Sequence, residues 1–148
     1  MQTQKASVVN RVIAKLVDLT LVIGMAAVLP YPLGPLLGFL YSLLSDGFSG
    51  GPFKSQSIGK KIMKLRVIHP ATRQGASFKD SALRNAPVGV ATFFGIIPVW
   101  GWLILALVGI PLMVMEIYLM VTVVTGHRLG DVMAETEVIE VGAAAAQE

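Results

Sequence analysis

Three ionisable side chains interrupt an otherwise apolar N-terminal stretch: Arg11, Lys15 and Asp18. They follow one another at i, i+4 and i+7, so a helix carries them on one face. A further acid, Glu116, lies deep in a later apolar run, and Arg128 and Asp131 follow that run. An Asp or Arg at the centre of a membrane-spanning helix costs roughly 2.5–3.5 kcal/mol on insertion scales, so each demands an explanation. One explanation makes Asp18 and Glu116 an ion or proton relay, carboxylates that alternate between a proton and a cation. The other makes them structural, protonated or hydrogen-bonded across a bundle. Arg11 and Asp18 stand about two turns apart, roughly 10 Å along a helix, so each is expected to find its partner on another element. Asp131 is the charge match for Arg11 or a neighbouring base. Lys15 fits a snorkelling or counter-ion role. Arg11, Lys15, Arg128 and Asp131 are therefore candidates for structural or gating charges.

Enzyme chemistry finds no constellation, and the expectation is that the chain is not an enzyme. Ser57-Ile58-Gly59-Lys60-Lys61 has a superficial likeness to a phosphate loop but lacks the earlier glycine and the strand-before, helix-after context. His69 and His127 have no metal-ligand companions at recognisable spacing, and cysteine is absent, so no metal site and no cofactor is expected. The lysines and arginines of the central connection, with Lys60, Lys61, Lys64, Arg66 and Arg84 foremost, are candidates for contact with anionic lipid or a partner protein.

The elements that must position these residues follow from the apolar runs. Val8 to Leu29 is long enough for a membrane span at about 1.5 Å rise per residue. Lys15 and Asp18 interrupt the core that a cleavable signal peptide would need, so this segment is expected to stay. Pro30-Tyr31-Pro32 breaks it, and residues 33–45 resume as a second span with Tyr31 and Tyr41 near its ends as interfacial aromatics. Residues 46–57 have loop composition, and the basic connection follows. Ile62 to Ile68 reads as a short strand. Residues 81–97 and 100–124 form two more spans, parted at Ile97-Pro98-Val99-Trp100-Gly101, with Trp100 and Trp102 as interfacial anchors and with kinks at Pro87 and Pro111. Thr136 to Val141 alternates acidic with apolar residues, and its glutamates suggest pairing with the basic first strand. Residues 1–7 and 142–148 are tails.

Composition agrees with a membrane class. Of 148 residues, 54% are hydrophobic and 14% charged, and the mean hydropathy is +0.69, outside the range of ordinary soluble domains. The formal charge is +3, but the bases flank apolar spans, as the positive-inside rule produces, and no nucleic-acid role is expected. The expected fold is an all-α membrane protein, a four-helix transmembrane bundle with a small cytoplasmic β element. Four spans leave both termini cytoplasmic, as strand pairing requires; a three-span alternative, with residues 87–97 on the surface, does not. A homo-oligomer or a membrane protein partner is expected, because four short helices leave little room for a pathway.

The order of these residues resembles the RDD family of prokaryotic membrane proteins, named for one arginine and two aspartates. Arg11 is similar to the arginine that opens the family's first helix, Asp18 to the aspartate within it, and Asp131 to the aspartate near the domain's end. Gln56-Ser57-Ile58-Gly59-Lys60-Lys61-Ile62-Met63-Lys64-Leu65-Arg66-Val67-Ile68 resembles the family's GK…LRV segment, followed by Ser81-Ala82-Leu83-Arg84-Asn85. Lys64 stands where members often have Gly, and Gly130 where they often have His or an aromatic residue. The likeness runs from about Asn10 to Val141. It implies a multi-pass protein of the prokaryotic cytoplasmic membrane connected with transport, some members being proposed as sodium/proton antiporters.

Overall fold

The computed structural model describes residues 6–49, 54–123 and 127–141. Most of the expected 1–7 tail, all of the 142–148 tail, part of the 46–57 loop and the end of the 100–124 segment lie outside the described residues.

The apolar runs become helices: α1 (Val8–Val28), α2 (Leu33–Leu44), α4 (Phe78–Phe94), and a rod made of α5 (Trp100–Ile104), a π-helical turn (Leu105–Gly109) and α6 (Ile110–Thr122). Two short helices were not expected from sequence, α3 (Ile58–Ile62) and α7 (Leu129–Met133). α1 packs on α2 and α3, α2 on α4, and α4 on the rod and on α7. The third run starts at Phe78 rather than Ser81, because Ser77 and Asp80 form a reciprocal cap: Asp80 Oδ2 accepts from Ser77 N at 2.8 Å and Ser77 Oγ accepts from Asp80 N at 3.3 Å. Pro87 lies inside α4. Pro111 has no N–H to give to the preceding turn, and the wide π turn lies immediately before it, which is how the rod accommodates the proline.

Among the described residues, the rod Trp100–Thr122 is the helix long and apolar enough to cross a membrane by length and composition. Its 23 residues reach about 34 Å at 1.5 Å each, whereas the 12 of α2 reach only about 18 Å, against a hydrocarbon core of about 30 Å. α1 has the length, but Arg11, Lys15 and Asp18 dilute its apolar character.

The two strands pair. β1 (Leu65–Ile68) runs antiparallel to β2 (Glu137–Glu140), with Leu65 opposite Glu140 and Ile68 opposite Glu137. That register corrects the expected charge pairing, since both glutamates face apolar partners and Arg66 faces Ile139. Glu140 instead reaches the start of α1, accepting from Ser7 N at 3.3 Å and Asn10 Nδ2 at 3.1 Å. Ala6 N donates to Val138 O and Val141 N to Lys64 O, so the sheet holds the beginning of α1 and the end of the described chain together. Lys64 has φ +54°, the left-handed conformation for which Gly is best suited, and it turns the chain from α3 into β1.

Burial is inverted relative to a soluble domain. Ala6, Ala14, Leu65 and Val138 form a small apolar core beside the sheet, and Val67 and Ile68 are buried as well, while Leu107, Val114, Tyr118, Val121, Ile23 and both tryptophans are exposed along the helices. The buried set is rich instead in Arg11, Asp18, Asp46, Arg84, Glu116 and Asp131. Helices with apolar outsides and ionic insides suit a lipid solvent, where apolar side chains gain nothing by leaving the surface.

Candidate functional site: a buried cluster of arginines and carboxylates

α7 opens at Arg128, and Asp131 in its first turn accepts from Arg128 N at 3.2 Å, so the short helix aims the Asp131 carboxylate at its own N-terminus. Three guanidinium groups converge there. Arg11 Nη2 from α1 meets Asp131 Oδ2 at 2.5 Å, Arg84 Nη2 from α4 meets Oδ1 at 2.9 Å, and Arg128 Nε meets Oδ1 at 3.3 Å. Close approach of α7 to α4 requires the glycine beside Asp131: a Cβ on Gly130 would lie 1.7 Å from Arg84 O. Burial alone would raise the Asp131 carboxyl, but Arg84, Arg128 and Arg11 together hold it well below the usual carboxylate range.

Asp46, in the 3-10 turn after α2 (Ser45–Gly47), extends the cluster. Its Oδ1 pairs with Lys60 of α3, and Arg84 Nε lies 3.5 Å from its Oδ2. Burial opposes its ionisation, but Lys60 and Arg84 outweigh burial and keep it well below the ordinary range. Glu116 completes the set from α6, with Oε2 at 3.3 Å from Arg128 Nη1. Its Oε1 is buried without a hydrogen-bond partner among the described residues, as are Arg84 Nη1 and Nε.

Asp18 occupies a separate pocket. It accepts from Tyr41 Oη at 2.6 Å, from Ser57 Oγ at 2.6 Å and from Gly59 N at 2.8 Å. Tyr41 Oη in turn accepts from Ile58 N at 3.1 Å. The carboxylate and the tyrosine therefore cap α3, whose first N–H groups have no partner within so short a helix. A Cβ on Gly59 would lie 2.0 Å from Ala14 O, so only glycine lets α3 sit this close to α1. The residues that resemble a phosphate loop serve as a docking turn for a carboxylate of the same chain.

Arg11 and Asp131 meet as their charges suggest, and Arg11 and Asp18 do take separate partners. Glu116 and Arg128 pair with each other. Lys15 lies exposed on α1 and forms no ion pair among the described residues. Two basic residues read as outward contacts are corrected. Arg84 is 1% exposed and bridges Asp46 and Asp131, so it faces neither lipid nor a partner, and Lys60 is largely buried against Asp46. Lys61 and Lys64 remain exposed and Arg66 is half-buried. Tyr41, expected near the interface, donates a hydrogen bond from its hydroxyl to Asp18.

Asp46 was missed, because an acid in a Gly- and Ser-rich loop carries no signal of burial. The pattern Ser81-x-x-Arg84-Asn85 could have pointed inward: these positions share one face of α4, where Ser81 Oγ and Asn85 Nδ2 both donate to Leu43 O at the end of α2, at 2.8 and 3.3 Å. Among the described residues no three His, Asp or Glu side chains converge to hold a metal ion.

Comparisons with curated proteins and with solved structures find no match. The RDD family model matches residues 5–135, a stretch that takes in Arg11, Asp18, the α3–β1 turn, Arg84 and Asp131. The chain belongs to the RDD family.

Proposed function

We propose that this RDD protein is a multi-spanning protein of the prokaryotic cytoplasmic membrane in which Glu116 carries a proton or small cation, as part of cation/proton exchange or ion passage. The observation that carries this reading is the unequal commitment of the buried acids. Asp131 is held by three arginines, Asp18 by three hydrogen-bond donors and Asp46 by a lysine and an arginine. Glu116 is held by one oxygen at 3.3 Å to Arg128, which it shares with Asp131. A proton or cation arriving at Oε1 can displace Arg128 from Glu116, and Arg128 keeps its contact with Asp131. Buried polar atoms without a hydrogen-bond partner among the described residues, here Glu116 Oε1, Asp46 Oδ2 and Arg84 Nη1, need water or an ion, and a hydrated cluster is what ion passage requires. Asp18, first weighed as a relay, takes a positioning role on this reading.

Four segments, α1, α2, α4 and the rod, would return the chain to the side on which it starts. The sheet that joins the start of α1 to the end of β2 supports this, as do the exposed Lys54, Lys61, Lys64, Arg73 and Lys79 on that side. A homo-oligomer or a membrane partner would supply the rest of a pathway.

A second reading, a non-transporting scaffold or accessory subunit, is favoured by the same lysines, which form a cytoplasmic surface suited to anionic lipid. Purified protein in sealed vesicles under an imposed proton or sodium gradient separates the two. The carrier reading predicts dissipation that Glu116→Gln abolishes and Asp18→Asn, where folded, retains. Absence of dissipation by the wild-type chain favours the scaffold.

A further inference from the structure

His69, immediately after β1, is placed outside the ion cluster yet between the two backbones that build it. Its Nε2 lies 2.9 Å from Asp80 Oδ2, in the first turn of α4. Its Nδ1 lies 3.1 Å from the backbone oxygen of Glu135, in the turn between α7 and β2. A backbone carbonyl accepts hydrogen bonds and cannot donate, and an ionised carboxylate likewise only accepts. Both ring nitrogens must therefore carry hydrogen for both bonds to exist, and an imidazole with two N–H groups is the cation.

The placement gives that proton a consequence. Arg84 lies four residues after Asp80, one turn along α4, and Asp131 lies four residues before Glu135, with its own backbone oxygen accepting from Thr136 N at 3.0 Å. Glu135 has φ +50°, a left-handed conformation that a side chain disfavours and that neighbouring contacts must hold. His69 thus fastens the start of α4 to the α7–β2 turn, and these carry the two halves of the buried Arg84–Asp131 pair.

We propose that His69 is a proton-sensing clasp, which when protonated locks α4 to the α7–β2 turn and when neutral releases one of its two bonds and loosens the Arg84–Asp131 pair. This goes beyond the carrier role of Glu116 and does not depend on it. The charged groups facing the ring are Asp80 from α4 and Glu135 from the turn, with the Arg73 backbone N–H on the His69 carbonyl from the 69–74 loop. The hydrogen bond to Asp80 raises the imidazole above its ordinary value, burial opposes the rise, and the Asp80 charge adds to it. Because the folded value is raised, the clasp's stabilisation is complete at pH below the ordinary histidine range and is lost as pH rises through the folded value.

The test is a pH titration of the full chain in lipid nanodiscs, labelled with nitrogen-15 at histidine and arginine, with His127→Gln used to assign the two ring spectra. The expected result is a His69 ring that is doubly protonated above the ordinary histidine midpoint, with an Arg84 Nε signal that moves with the same midpoint. In Asp80→Asn the proton affinity of His69 falls about tenfold, one pH unit. In His69→Gln the Arg84 signal no longer follows pH in that range. A wild-type His69 that is neutral at its ordinary midpoint, or an Arg84 signal indifferent to its titration, overturns the proposal. Asp80→Asn also weakens the cap of α4; if that variant does not fold, the wild-type ring and Arg84 signals decide alone.

Discussion

Asp131 and Asp18 are both buried aspartates, and their surroundings solve the same problem in different ways. Around Asp131 the compensation is ionic, with Arg11, Arg84 and Arg128 drawn from three parts of the chain. Around Asp18 it is dipolar, with two hydroxyls and a backbone N–H at the start of α3. Removing one member of a buried ionic group leaves uncompensated charge, whereas removing the charge from a dipolar site leaves groups that can turn to new partners. The ionic region should therefore be brittle and the dipolar region forgiving, even though both join elements distant in sequence.

The largest expected effect is at the ionic centre. Asp131→Asn leaves three guanidinium groups around a neutral amide, and breaking a buried ionic group costs about 3–5 kcal/mol. Loss of folded protein, or an unfolding free energy lowered by that amount in detergent or nanodiscs, is the expected outcome. Gly59→Ala comes next. Its Cβ meets the Ala14 carbonyl, backbone that cannot rotate away, so overpacking of about 1–3 kcal/mol is expected, with α3 displaced from α1 and faster proteolysis after Lys60 or Lys61. Asp18→Asn should cost less, about 1–2 kcal/mol: the amide oxygen can still accept from Gly59 N and Tyr41 Oη, and Ser57 Oγ can reverse to accept from the amide. If Asp18→Asn proves as damaging as Asp131→Asn under the same unfolding measurement, the contrast between the two sites fails.

A pH titration sharpens the same contrast. Asp131 and Asp46 are held well below the ordinary carboxylate range by their cations. A depressed carboxylate contributes stability that is present above its unfolded value, about 4, and is lost only as pH falls through the lower folded value. The unfolding midpoint should therefore fall steeply in acid in the wild type, and Arg84→Gln, where it folds, should move that fall to higher pH. The smallest effect is expected at the sheet edge. Glu140→Gln keeps an acceptor for Asn10 and Ser7 near the surface and should change stability by no more than about 0.5 kcal/mol.

Much of this arrangement was legible in the residues. Arg11, Asp18 and Asp131 stood out because charge is costly in or beside apolar helices, and that cost is a strong signal. α1 and the existence of a strand pair also followed from periodicity. The pairing register did not, because Glu140 could as well have faced a basic residue as reached the start of α1, and only the packing of Leu65 and Val138 with Ala6 and Ala14 decides. Lys60 and Arg84 looked like members of a solvated basic loop, since a count of charges says nothing about which of them turns inward. α3 and α7 were hidden because five-residue helices have almost no periodicity of their own and exist through capping by Asp18 and Asp131.

On the proposed carrier reading, Glu116 is the exchangeable carboxylate in a cluster whose other acids are fixed. Infrared difference spectroscopy on protein in vesicles, comparing acidified with neutral samples, reads this directly through the carbonyl stretch of a newly protonated carboxyl group. The carrier reading predicts a component of that band in the wild type, over the contribution of exposed acids such as Glu135, that is missing in Glu116→Gln and persists in folded Asp18→Asn. A component that survives in Glu116→Gln and vanishes in Asp18→Asn would contradict it.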